Sequence, residues 1–117
     1  MPGRTNPNFM NGVPELLVLS LLEEQEMYGY ELVAAIREAT GQAISLGEGV
    51  VYPALHDLEG RGSLASRERT VEGRKRVYYR LTAKGRRRRR AVVDDWSRIT
   101  SAVVGVVGGR LHVDPAV

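Results

Sequence analysis

At about residue 64 the apolar residues of this chain stop recurring every three or four positions and begin to alternate. Two such alternating segments, "LASRERTV" and "RKRVYYRLT", flank Glu72-Gly73. That dipeptide is a turn signal between two extended strands. In the second strand Val77, Tyr79 and Leu81 share one face, and Arg76, Tyr78 and Arg80 share the other. One face can pack on a core while the other meets solvent or a ligand.

Upstream of the hairpin the spacing is helical. Pro14 stands where a first helical residue would be, with Asn11 or Gly12 as the cap, and leucines 16, 17, 19, 21 and 22 predict a buried helix over 14–24. "EEQEMYG" is expected to turn the chain. A second helix is predicted over 29–39, with Leu32, Val33 and Ile36 as its apolar stripe and Gly41 at its end. A third, over 48–60, buries Val51, Ala54, Leu55 and Leu58, and its Pro53 is tolerated only near a helix start. After the hairpin, Thr82 can cap a final helix over 82–107, whose first turn Gly85 weakens. Three helices, a hairpin and a long helix make a mainly α chain with a small β-hairpin. The predicted organisation is a flexible arm (1–12), a winged helix-turn-helix (13–81), a long C-terminal dimerisation helix (82–107) and a flexible tail (108–117).

Charge indicates what such a chain meets. The net charge of +3 hides a strong polarity, because residues 61–90 hold eleven arginines and two lysines against two glutamates, whereas residues 1–60 are acidic. A basic segment of that density suits nucleic acid or an acidic surface. In a helix-turn-helix the second helix of the pair enters the DNA major groove. Its outward residues would be Gly49, Tyr52, Pro53 and His56. Arg74, Lys75 and Arg76 at the hairpin tip can reach phosphates or the minor groove, and Tyr78 can support arginine stems and offer its hydroxyl to a phosphate. The run Arg86 to Arg90 spans more than one helical turn, so only part of it can face DNA; some members can pair with acids of the first two helices. Along the last helix Val92, Trp96, Ile99, Val103 and Val106 form a heptad seam, which suits either a partner helix or the chain's own first helix.

Other classes find less support. No apolar run approaches the roughly 20 residues that span a membrane. With no cationic leader before Leu16 to Leu22, a cytoplasmic location and no membrane partner are expected. The absence of cysteine excludes disulfides and thiolate metal sites. No catalytic constellation, phosphate loop, metal site or cofactor site is visible, which argues against an enzyme. A basic RNA-binding or ribosome-associated protein is the alternative to a DNA reader, although a paired seam suits palindromic DNA better.

"YGYEL", "VVYPALHDLEGRG" and "EGRKRVYYRLTAKG", in that order and spacing, resemble the signatures of the PadR-like transcriptional regulators. The resemblance runs from about Leu16 to Gly85, with a compatible helix beyond. It implies a homodimeric winged-helix repressor of double-stranded DNA with a pseudo-palindromic operator. It also implies that the C-terminal helix, helped by the first, makes the dimer, which would place Leu16 and Leu19 beside the seam at the interface. Many members respond to small hydrophobic or phenolic ligands, and some stack flat aromatics on a tryptophan of the last helix. Trp96 resembles that position, and Asp95 beside it can attract a cationic ligand. The chain departs from the family at Val50, where a serine or threonine is usual and meets the DNA backbone.

Overall fold

The computed structural model describes residues 12–111. Most of the expected arm, and the tail after Leu111, lie outside the described residues. The elements are α1 (Val13–Glu24), β1 (Met27–Tyr28), α2 (Gly29–Ala39), α3 (Glu48–Gly60), β2 (Leu64–Val71), β3 (Arg74–Leu81) and α4 (Ala83–Leu111). The three strands form one antiparallel sheet in the order β1-β3-β2. The fold is mainly helical, with a small sheet and a long last helix.

The core lies where α1, α2 and α3 meet the base of the sheet. Val18, Leu19 and Leu22 of α1 pack with Leu32 and Ile36 of α2 and with Val51, Leu55 and Leu58 of α3. Met27, Leu64, Tyr79 and Leu81 close it from the sheet side. In the hairpin burial is confined to the base: Leu64 of β2 and Tyr79 and Leu81 of β3 join the core, while Tyr78 is covered from the opposite face.

Three expectations need correction. The segment "EEQEMYG" holds a strand as well as a bend: Met27 pairs with Tyr79 and Tyr28 with Tyr78. Two residues are too few to show a period. Val77 shares the face of Tyr79 but is 41% exposed, because the hairpin runs out beyond the helices before reaching its turn. The last helix continues to Leu111, past the expected end at 107. Gly108 and Gly109 lower helix propensity by about 1 kcal/mol each relative to alanine, but they keep their backbone donors and the ladder runs through them.

At its other end α4 is anchored to the α3–β2 junction. Thr82 caps it, its Oγ1 accepting from the Gly85 N–H at 3.0 Å and donating to the Gly62 carbonyl at 2.6 Å. The Thr82 N–H donates to the Ser63 carbonyl at 3.1 Å. Gly85 is buried against that carbonyl, and a Cβ added to it would lie 2.0 Å from the oxygen. Glycine there does more than weaken a turn: it permits the contact. Gly85→Ala should therefore destabilise the fold by about 1–3 kcal/mol through overpacking, read as a lower melting temperature in circular dichroism, although alanine is the better helix former.

Candidate nucleic-acid interface

The register of the hairpin decides which side chains stand together. Residues directly opposite on antiparallel strands share a face. Arg80 is opposite Ala65, Tyr78 opposite Arg67, and Arg76 opposite Arg69, all on the side turned away from the core. Tyr28 of β1 joins them as the partner of Tyr78. Two like charges thus face each other at Arg69 and Arg76, an arrangement that repels. Aromatic rings hold them apart. The Arg69 guanidinium lies 4.5 Å over the Tyr78 ring, and that of Arg76 lies 4.5 Å over Tyr28. The two rings meet edge to face at 5.4 Å. Each cation gains from the ring's negative face.

Glu26, just before β1, is the acidic group in this cluster. It accepts from Arg67, whose Nε is 3.2 Å from Oε2, and stands 3.5 Å from Arg69. Its hydrogen bond with Arg67, then the charges of Arg67 and Arg69, hold its carboxyl below the usual carboxylate range. The same bond pushes Arg67 up. At the tip Arg74 and Lys75 are exposed and make no ion pair among the described residues. The turn between the strands carries positive φ at Glu72 (52°) and Gly73 (79°), the twist that suits a two-residue hairpin loop.

Between the tip and the helices lies an open cleft of about 600 Å³. Tyr52 and His56 of α3, Tyr28 and Tyr30 at the start of α2, and Arg74, Lys75 and Arg76 of the hairpin all line it. The fold thus brings five of the residues singled out in the sequence around one space. Gly49 and Pro53 lie on the same exposed face of α3, outside the cleft lining. Tyr52 is half-buried, and its ring sits so close to Gly29 that an added Cβ there would lie 2.5 Å from it. Its rings and those of His56 are 6.4 Å apart. Tyr78 is on the expected charged face, but Tyr28 and Arg69 cover it to 8% exposure, so it serves as a support for arginine rather than an open surface. Sequence reasoning missed Tyr28, Tyr30, Arg67, Arg69 and Glu26; counting back from the Glu72-Gly73 turn would have set Arg67 and Arg69 opposite Tyr78 and Arg76, whereas Tyr28 and Glu26 join only through the pairing of β1.

The root of α4 is tied to α1. Arg88 donates from Nε and Nη2 to the two oxygens of Glu15 at 2.8 and 3.0 Å, which pushes Arg88 up. Arg86, Arg87 and Arg90 are exposed as Arg88 is, but form no ion pair among the described residues, and Arg89 is half-buried. Beyond this tie, Leu16 of α1 and Val92, Asp95, Trp96 and Ile99 of α4 line a small cavity of about 90 Å³. Asp95 is paired with Arg98 at 3.0 Å. The heptad seam is divided. Val92 and Trp96 are half-buried and Ile99 is buried within the chain, whereas Val103 is 51% and Val106 78% exposed. Leu19, expected at a subunit interface, is fully buried in its own chain's core, in one cluster with residues of α2 and α3. Among the described residues no helix is long and apolar enough to cross a membrane.

The state of Glu26 gives a test. A carboxyl held below its ordinary range adds stability above that range and loses it as pH falls through the depressed value. The urea midpoint of Glu26→Gln should fall below that of the wild type at neutral pH, and the gap should close as the solution is acidified.

Three comparisons bear on these features. The family model described as "Transcriptional regulator PadR-like family" matches residues 18–91. The chain is 32% identical over 104 residues to the transcriptional regulator Rv3488 of Mycobacterium tuberculosis, covering 89% of this chain and 92% of that one. Among solved structures, smu.1704 of Streptococcus mutans superposes with a TM-score of 0.76 at 28% identity, over 97% of this chain and all of that one. Bacillus subtilis PadR, solved in complex with operator DNA, superposes with a TM-score of 0.64 at 26% identity, over 69% of this chain and 46% of that one.

Proposed function

The chain belongs to the PadR-like family of transcriptional regulators, and from that premise we propose that it is a cytoplasmic homodimeric repressor that grips a pseudo-palindromic DNA operator and lets go when a small hydrophobic or aromatic ligand binds. The family is one of transcription regulators, not enzymes. One observation carries the DNA reading. The free cations of the hairpin tip border a single cleft, open to solvent, with Tyr52 and His56 of α3. In this reading α3 enters the major groove, while Arg74, Lys75 and Arg76 take phosphates or the neighbouring minor groove. A relative of the same fold holds operator DNA.

The proposed unit for reading DNA is residues 13–81, and the proposed unit for pairing begins at residue 82. Val103, Val104, Val106 and Val107 leave apolar surface on one stretch of α4, and a second copy of that stretch would cover it. The proposed interface takes in Leu16 and the seam from Val92 to Val106, without Leu19. Trp96 and Asp95 border a cavity too small for a drug-sized molecule in one chain; a second subunit would enlarge it. A ligand held there releases DNA only by favouring one spacing of the two reading heads over another.

The test is an anisotropy titration of the purified protein with the duplex next to its own gene. Binding should weaken steeply with salt, and Arg74→Ala with Lys75→Ala should lower the magnitude of the log–log salt slope by about two. Sedimentation should give twice the chain mass. Affinity indifferent to salt, or a single chain on the duplex, overturns the reading.

A further inference from the structure

The helix offered to DNA lacks the side chains that most often read it. The thirteen residues of α3, EGVVYPALHDLEG, contain no Arg, Lys, Asn or Gln. Arg and Lys are the customary donors to guanine, and Asn and Gln the customary partners of adenine. The face of α3 turned out of the core instead shows Glu48, Gly49, Val50, Pro53, His56 and Asp57. Asp57 is engaged by Arg61 at 3.1 Å. Glu48 is an acceptor when ionised. Pro53 has no N–H to donate to the Gly49 carbonyl four residues back, so that oxygen is a second acceptor. Val50, in the first turn, is left 44% exposed beside the fully buried Val51.

A surface of acceptors and methyl groups discriminates in a definite way. Guanine shows the major groove two acceptors, N7 and O6, and the only side chains on this side of α3 that could donate to them are His56 and the half-buried Tyr52, both of which line the cleft. Thymine shows a C5-methyl group, which needs an apolar partner. The first residues of a reading helix are the ones that reach base edges. We infer that Val50, which lacks the hydroxyl that a serine or threonine here would turn to the DNA backbone, instead selects a thymine in each half-site by packing on its C5-methyl group, with the hairpin cations supplying affinity that carries no sequence information. This rests on the DNA-binding reading above.

The experiment starts with a duplex selected by the full-length protein from a random library. That duplex is rebuilt with deoxyuridine for thymine, one position at a time, and each form is titrated at fixed salt. Loss of one buried methyl should weaken binding about fourfold at one thymine per half-site and at no other. Val50→Ser, which has no methyl group, should bind the thymine and deoxyuridine duplexes alike, whereas Val50→Ile, which keeps an apolar branch, should still tell them apart. If deoxyuridine is tolerated everywhere while binding stays selective and salt-dependent, methyl reading is wrong and the DNA-binding function stands. If Val50→Ser still discriminates, the assignment to Val50 is wrong. If no duplex is selected over bulk DNA, both readings fall together.

Discussion

Four segments of chain converge on Ser63. Its N–H donates to the Leu58 carbonyl at 2.9 Å and closes α3. Its carbonyl accepts from the N–H of Thr82 and meets the first turn of α4 at Gly85. β2 starts at the next residue and β3 ends just before Thr82. Ser63 is buried, so water cannot replace these bonds, and breaking one would strand a polar group. α3, the hairpin and α4 are consequently joined by one small set of backbone bonds in addition to the packing of their apolar faces.

Around that anchor the chain separates two duties. α3 carries acids and apolar groups, while the cations stand on the hairpin and at the root of α4. Grouping positive charge on one sheet face opposes folding, since like charges sit opposite at Arg69 and Arg76. The structure offsets this with Tyr28, Tyr78 and Glu26, each of which holds at least one guanidinium. A guanidinium already laid on a ring loses less freedom on meeting an anion than a free one does. The face is therefore arranged in advance, with the tip left unpaired.

Much of this was legible from residue spacing. Three helices and a hairpin could be read because each is long enough to repeat its period, and Thr82 was legible as a cap because its type suits that position. The charged cluster was not fully legible. Tyr28 and Glu26 join it through a two-residue strand, and no window of that length has a pattern. Val77 misled for a different reason: alternation tells which face a residue is on, but not how far along the hairpin the core extends. Leu19 misled because a leucine-rich helix shows apolar residues on most sides, and nothing local says which side meets α2 and α3. Glycine at 85 looked like a flaw until the carbonyl it approaches came into view.

The long helix has a mechanical consequence. Its 29 residues make a rod of about 43 Å, held at its root by the junction that also holds α3 and laid along α1 as far as Ile99. Only the stretch beyond Ile99 projects, roughly 18 Å of helix. A load on that projecting end reaches α3 by two routes, through the junction and through α1, so the rod and α3 are coupled as one body rather than joined by a hinge.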